Sequence, residues 1–305
     1  QAPTNLSAIS NNGSATISFD QPSDAVGGQV KNYKYQLNGG DWITLSPVTT
    51  SSPITIPNLT NGITYSIKLL ALNDAGDGLA SSAVEVTPAT TANQPTTLTA
   101  NSRNGSAEIN FTTPSDNGGS EIINYEYQVD GGDWVAFSPD VKMSPVTVTG
   151  LTNGTSYSIK LRAVNGVGSG TESDSVQVVP AATPDAPTIL QIVAGNETAG
   201  VSFTAPVNPG GSTITDYEYQ LDGGDWVSVG DTSSSFTITD LINGQTYSVK
   251  IRAVNGSGGG LESNTVLTQP VTTPSLPTNV SYTPGNGVVE VSFTSPVSDG
   301  GSPIT

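Results

Sequence analysis

Leu59-Thr60-Asn61-Gly62-Ile63-Thr64-Tyr65-Ser66-Ile67-Lys68-Leu69-Leu70-Ala71-Leu72-Asn73 opens with a turn-forming Asn-Gly pair and then places Tyr65, Ile67, Leu69 and Ala71 on alternate positions. Period two means a strand with one buried face. The same run returns as Leu151 to Asn165 and as Leu241 to Asn255, each time preceded by Gly-Gly-Asp-Trp, with tryptophans at Trp42, Trp134 and Trp226 spaced by 92 and 92. Pro3, Pro95, Pro187 and Pro277 keep step, as do Phe19, Phe111, Phe203 and Phe293. Four copies begin and three finish. A period this long is a whole domain rather than a solenoid turn, and it overrides the prior of about two domains that 305 residues alone would give. The third copy is two residues shorter between Trp226 and Tyr247, which marks a loop there.

Other runs alternate in the same way, such as Ala15, Ile17, Phe19 and Tyr33, Tyr35, Leu37. Turn clusters separate them at Asn12-Gly13, Gly27-Gly28, Asn38-Gly39-Gly40 and Asn61-Gly62. Short alternating strands punctuated every ten residues or so predict an antiparallel sandwich, and no stretch has helical period.

Composition excludes several function classes. Lys and Arg number 9 against 26 Asp and Glu, a net charge of −17 that repels a phosphate backbone or an anionic membrane. Histidine is absent, which removes the commonest general base and metal ligand. Cysteine is absent too, so there is no disulfide, thiolate nucleophile or Cys-based metal site. No run approaches the roughly 18 apolar residues of a membrane span, and no basic-then-apolar leader opens the chain. Gly (34) and Pro (21) together stay below the roughly 25–30% that marks low-complexity chains.

Leu-x-x-Gly-x-x-Tyr occurs as Leu59, Gly62, Tyr65, then Leu151, Gly154, Tyr157, then Leu241, Gly244, Tyr247, and is followed by Ala71-Leu72-Asn73, Ala163-Val164-Asn165 and Ala253-Val254-Asn255. On these residues the chain resembles the fibronectin type III module, and the first motif is similar to its tyrosine corner. The resemblance implies an all-β chain of tandem immunoglobulin-like, seven-stranded β-sandwiches. The expected domains are 1–91, 92–183, 184–273 and a start of a fourth at 274–305 that supplies strands A and B only, as in a segment cut from a longer chain. Phenylalanine replaces the family's strand B tryptophan at Phe19, Phe111, Phe203 and Phe293, which costs core volume without changing topology. The phrase Gly-Gly-Ser-x-Ile at Gly118 and Gly210 is similar to copies in tandem on bacterial secreted and surface proteins, and implies a bacterial extracellular setting.

Proline-bracketed segments, Pro88 to Pro95, Pro180 to Pro187 and Pro270 to Pro277, read as semi-rigid linkers. With strands rising about 3.3 Å per residue, each module spans roughly 35 Å and three in line make a rod of roughly 100 Å. On the strand C and strand F face, Glu126 and Gln128 oppose Lys160 and Arg162, and Glu218 and Gln220 oppose Lys250 and Arg252. Copy one changes both sides together, with Lys34 for the glutamate and Leu70 for the arginine.

Carboxylates approach each other at Asp130 and Asp133, and at Asp222 and Asp225, where an acid pair or calcium site competes with plain hairpin-turn chemistry. Copy one has Asn38 at the first position, which favours the turn. Trp42, Trp134 and Trp226 are the candidate ligand contacts, able to stack on sugar rings or to shield the edge of strand C′. Glycine-rich loops at Asn165 to Gly170 and Asn255 to Gly260 lack the Gly-Lys-Ser/Thr of a phosphate cradle. No convergent acid, base and nucleophile set is visible, so no enzyme, cofactor or metal is expected.

The expected function is a structural repeat segment of an acidic extracellular prokaryotic fibre, filament, stalk or adhesin. The alternatives are a spacer or carbohydrate-contacting region of a secreted polysaccharide-degrading enzyme, and a phage tail decoration. Expected partners are other copies or further repeats of the same chain, and glycans; nucleic acid and membrane insertion are not expected.

Overall fold

The computed structural model describes residues 1–23 and 28–305, so Gly27 of the Gly27-Gly28 turn cluster lies outside the described residues. All regular structure among them is β-strand. The chain divides into two compact units, 1–101 with 108–148 and 157–178, and 102–107 with 149–156 and 179–305.

In unit one, the first repeat has strands β1 (Thr4–Asn11), β2 (Ser14–Asp20), β3 (Asn32–Leu37), β4 (Trp42–Thr44), β5 (Ile54–Ile56), β6 (Tyr65–Asn73), β7 (Gly76–Asp77) and β8 (Val84–Val86). They form a sheet ordered β1-β2-β5 and a second ordered β4-β3-β6-β7, with β8 also on β6. Because β7 and β8 both pair antiparallel with β6, they are two pieces of one seventh strand. The inward residues of the two sheets meet in one core: Ala15, Ile17 and Phe19 from β2, Tyr33 and Tyr35 from β3, Ile67 and Leu69 from β6. Burial of each large side chain contributes roughly 1.5–3 kcal/mol. Phe19 meets Tyr33 edge-to-face at 4.8 Å, and Phe111 meets Tyr125 in the second repeat at the same distance. This pair occupies the place expected for a larger strand B aromatic.

The second repeat contributes β9 (Thr96–Arg103), β10 (Ser106–Thr112), β11 (Ile122–Val129), β12 (Val135–Ala136), β13 (Val146–Thr149), β14 (Tyr157–Asn165) and β15 (Val176–Val178), in the orders β13-β10-β9 and β12-β11-β14-β15. Unit two holds the third repeat: β16 (Thr188–Gly195), β17 (Thr198–Thr204), β18 (Ile214–Leu221), β19 (Val227–Ser228), β20 (Ser235–Ile238), β21 (Tyr247–Asn255), β22 (Gly258–Gly259) and β23 (Val266–Thr268). Its sheets repeat the first pattern, β16-β17-β20 and β19-β18-β21-β22 with β23 on β21. Beyond it, β24 (Thr278–Pro284) and β25 (Val289–Thr294) form a two-stranded hairpin. Phe293 is 59% exposed there, whereas Phe203 at the same place in the third repeat is 3% exposed, because no second sheet faces the hairpin.

Registers agree with the charge pattern: Glu126 lies opposite Arg162 and Gln128 opposite Lys160, with the same pairing of Glu218 to Arg252 and Gln220 to Lys250. The β3–β4 and equivalent turns have two successive residues at positive φ, Asn38 and Gly39 at 51° and 76°, Asp130 and Gly131 at 50° and 73°, Asp222 and Gly223 at 50° and 74°. That is the backbone of a two-residue hairpin turn with right-handed twist.

Candidate functional site

The junctions between repeats are built alike, and glycine makes them possible. Inside unit one, Gly62 N–H donates to Pro88 O at 2.8 Å and Thr90 N–H donates to Gly118 O at 2.8 Å. Gly62, Gly118 and Gly119 have φ of 81°, 73° and 80°. A Cβ on Gly119 would lie 2.3 Å from Gly62 N, and one on Gly118 would lie 2.2 Å from Thr90 O. Asn165, 2% exposed, fastens the linker: its Nδ2 donates to Thr90 O at 2.7 Å and Asn117 O at 2.8 Å, while its Oδ1 accepts from Val167 N–H at 3.0 Å. A buried amide with donors and acceptor all satisfied holds firmly, since freeing any one of them leaves a buried polar group unpaired.

Inside unit two the arrangement recurs. Gly154 N–H donates to Pro180 O at 2.9 Å and Ala182 N–H to Gly210 O at 2.7 Å. Asn255 Nδ2 donates to Ala182 O and Pro209 O, both at 2.8 Å. A Cβ on Gly211 would lie 2.5 Å from Gly154 N. Around the hairpin, Gly244 N–H donates to Pro270 O at 2.9 Å and Thr272 N–H to Gly300 O at 2.8 Å, and a Cβ on Gly301 would lie 2.4 Å from Gly244 N.

Gly62, Gly154 and Gly244 are therefore the middle residues of the Leu-x-x-Gly-x-x-Tyr motif and junction residues at once. At the tyrosine corners, Thr60 N–H donates to the Tyr65 hydroxyl and Ile242 N–H to the Tyr247 hydroxyl, both at 3.0 Å. Leu59 N–H donates to Gly13 O at 2.9 Å, Leu151 N–H to Gly105 O at 3.0 Å and Leu241 N–H to Glu197 O at 3.0 Å.

The tryptophans occupy the outer face of the other sheet. Trp42 is the first residue of β4, whereas Trp134 and Trp226 stand one residue ahead of the shorter β12 and β19. Arg162 lies over the Trp134 ring and Arg252 over Trp226, each 4.3 Å from guanidinium carbon to ring centroid. The same guanidiniums pair with Glu126 at 2.5 Å and Glu218 at 2.6 Å, and Ser169 Oγ also donates to Glu126 at 3.0 Å. Lys160 pairs with Glu172 and Lys250 with Glu262, both at 2.7 Å. In the first repeat Leu70, 4% exposed, stands in place of the arginine, and Lys34 pairs with Asp77 at 2.8 Å.

The paired aspartates do not converge on a centre. Asp130 Oδ1 accepts from Ser158 N–H and Asp222 Oδ1 from Ser248 N–H, both at 2.7 Å, and Asn38 Oδ1 accepts from Ser66 N–H at 2.8 Å. Asparagine serves equally because the task is hydrogen-bond acceptance at a turn. Asp133 and Asp225 are exposed, and no cluster of three metal-ligating side chains occurs among the described residues. Among the described residues no helix is long and apolar enough to cross a membrane.

The model of the fibronectin type III domain matches residues 1–87, 93–179 and 185–269. The chain is 30% identical over 232 residues to Myomesin-2 of Homo sapiens, covering 69% of this chain and 16% of that protein. It is 31% identical over 150 residues to a Kelch domain-containing protein of Saccharolobus solfataricus, covering 47% of this chain and 20% of that protein. The chain thus spans no more than about a fifth of these relatives. A crystal structure of chicken CNTN1 FN1-FN3 domains aligns over 88% of this chain and 98% of its own at 16% identity, with a TM-score of 0.38. The two relatives come from Homo sapiens and Saccharolobus solfataricus, so they do not carry the bacterial setting expected from Gly-Gly-Ser-x-Ile. With the family model covering most of its length in three successive copies, the chain belongs to the fibronectin type III family.

Proposed function

We propose that the segment is a structural spacer of an extracellular or cell-surface protein, setting distance and direction between whatever flanks it. The observation that carries this reading is the repeated junction, in which backbone meets backbone at glycines with no room for a Cβ. A spacer needs a reproducible angle from one module to the next, and contacts of this kind leave the angle little latitude. The finer form of the reading is a prokaryotic surface fibre, stalk or adhesin. The Gly-Gly-Ser-x-Ile phrase and the archaeal relative support it. A net charge of −17 would keep neighbouring copies apart and soluble. On this reading the segment acts without catalysis or cofactor, and its partners are further repeats of the same chain.

Residual dipolar couplings of the full chain test the reading, because modules held together share one alignment tensor. The first two repeats are expected to share a tensor, and Gly119→Ala is expected to separate it into two. Independent tensors in the parent chain would overturn the spacer reading. A second reading, a carbohydrate-contacting region beside a secreted polysaccharide-degrading enzyme, is favoured by the Gln–Lys cross-strand pair that recurs on the outer sheet face of all three repeats, next to a tryptophan at the start of, or one residue before, the adjoining strand.

A further inference from the structure

Trp42 lies opposite Gln36 across β4 and β3, and Gln36 lies opposite Lys68 across β3 and β6, so the three form one row on one face. Directly opposed residues have Cβ atoms about 4.5–5.5 Å apart, so the row spans about 10 Å from indole to ammonium stem. The corresponding lysines of the later repeats are half-buried and paired with Glu172 and Glu262. At the same place the first repeat has Ala80, and Lys68 is exposed with no ion pair among the described residues. The guanidinium that covers Trp134 and Trp226 is likewise replaced, by the buried Leu70. Gln36 is held in line by its Nε2, which donates to Gly40 O at 2.7 Å, and its Oε1 remains as an acceptor.

We propose that this row is a binding site for a sugar acid, a uronate residue of an acidic polysaccharide. The ring of the sugar stacks its C–H face on Trp42, a hydroxyl donates to Gln36 Oε1, and the carboxylate takes the place that Glu172 and Glu262 hold beside the lysines of the other repeats. Local rather than net charge selects the ligand: within a chain whose net charge of −17 opposes polyanions, this one ammonium has no ion pair among the described residues and stands beside a half-buried aromatic. Lys34 pairs with Asp77 and Lys31 with Asp74, and the remaining carboxylate on this face, Glu85 of β8, lies opposite Ser66 and diagonal to Lys68 without an ion pair to it among the described residues. The inference goes beyond the spacer reading and does not depend on it.

The test is a titration of the full chain with polygalacturonate, followed by tryptophan fluorescence and calorimetry, with an uncharged methyl-esterified polymer beside it. Binding of the acidic polymer alone is expected. Lys68→Gln should weaken it about tenfold or more, the worth of a charge-assisted hydrogen bond, and Trp42→Ala should abolish it. Trp134→Ala and Lys160→Gln should leave it unchanged. Ala80→Glu gives a further arm: it supplies the internal carboxylate that the later repeats possess and should block the site with Trp42, Gln36 and Lys68 all intact. No binding to the parent chain, equal effects of the two tryptophan variants, or undiminished binding by Ala80→Glu would each overturn the proposal. Because the dipolar couplings read only module alignment, failure here and failure of the spacer reading are separate results.

Discussion

The first repeat and its two successors share a strand plan, a core and a cross-strand Gln–Lys pair, yet they neutralise their charges by different routes. In the second and third, the glutamates of β11 and β18 meet the arginines of β14 and β21, and the guanidinium also covers an indole. In the first, the central strand carries the cation, Lys34, and the acid comes from β7 as Asp77. The swap reverses the sign on the central strand, replaces the arginine of its neighbour by a neutral leucine and leaves the fold alone. What it teaches is that the sheet face constrains pairing rather than residue identity, so differences between repeats report on tasks other than folding. A matching contrast exists at the repeat ends. Asn165 and Asn255 are buried and donate to linker carbonyls, whereas Asn73 is half-buried, its Nδ2 donating to Gly28 O and its Oδ1 accepting from Ala75 N–H within its own repeat.

The largest effect is expected at that second contrast. Asn165→Ala removes an amide that serves two carbonyls and one N–H, and should cost about 2–3 kcal/mol of local stability. Asn73→Ala should cost less, because that amide is half-buried and water can replace part of its bonding. Native-state hydrogen exchange at Thr90 and Val167 reads the first, and equal losses from both variants would break the comparison.

A smaller effect distinguishes the cores. The hydroxyls of Tyr33 and Tyr125 are buried without a hydrogen-bond partner. Tyr125→Phe should therefore stabilise the second repeat by about 1 kcal/mol, since the unpaired group pays its desolvation for nothing. Burial raises the Tyr125 phenol from 10.0 to about 12. The unfolded phenol then loses its proton first as pH rises, so this contribution is complete below pH 10 and is lost towards pH 12. Tyr125→Phe should flatten that alkaline loss in a pH series of unfolding curves.

The smallest effect returns to the sheet face. Arg162→Leu copies the first repeat's Leu70 and should cost about 0.5 kcal/mol, because the lost ion pair and ring contact are partly screened and partly offset by leucine burial. Combined with Glu126→Lys it should cost still less. A cost above about 2 kcal/mol, larger than a partly exposed pair explains, would mean that the face tolerates less exchange than the first repeat implies.

Much of this was legible in the sequence. Alternation of Tyr65, Ile67, Leu69 and Ala71 defined a strand because side chains on a pleat have period two, and the 92-residue spacing defined the modules. The opposition of Glu126 and Arg162 followed once β11 and β14 were neighbours. Other features depend on atoms brought together from distant positions. Nothing local to Gly118-Gly119 reveals that Thr90 O and Gly62 N will lie where their Cβ atoms would be. The recurrence of Gly-Gly at 118, 210 and 300, each after a proline-bracketed linker, was the available signal. Asp130 invited a metal reading because a carboxylate is a ligand in isolation; its hydrogen bond to Ser158 appears only when the turn closes on the neighbouring strand.

The glycine contacts between modules have a consequence for the growth of such chains. An interface written in main-chain atoms carries no side-chain lock that must match a particular neighbour, so a duplicated copy finds a compatible seat wherever it is inserted. Array length can then change by gene duplication or loss without redesign of any surface, while drift continues on the outer faces, where each copy is free to acquire a task of its own.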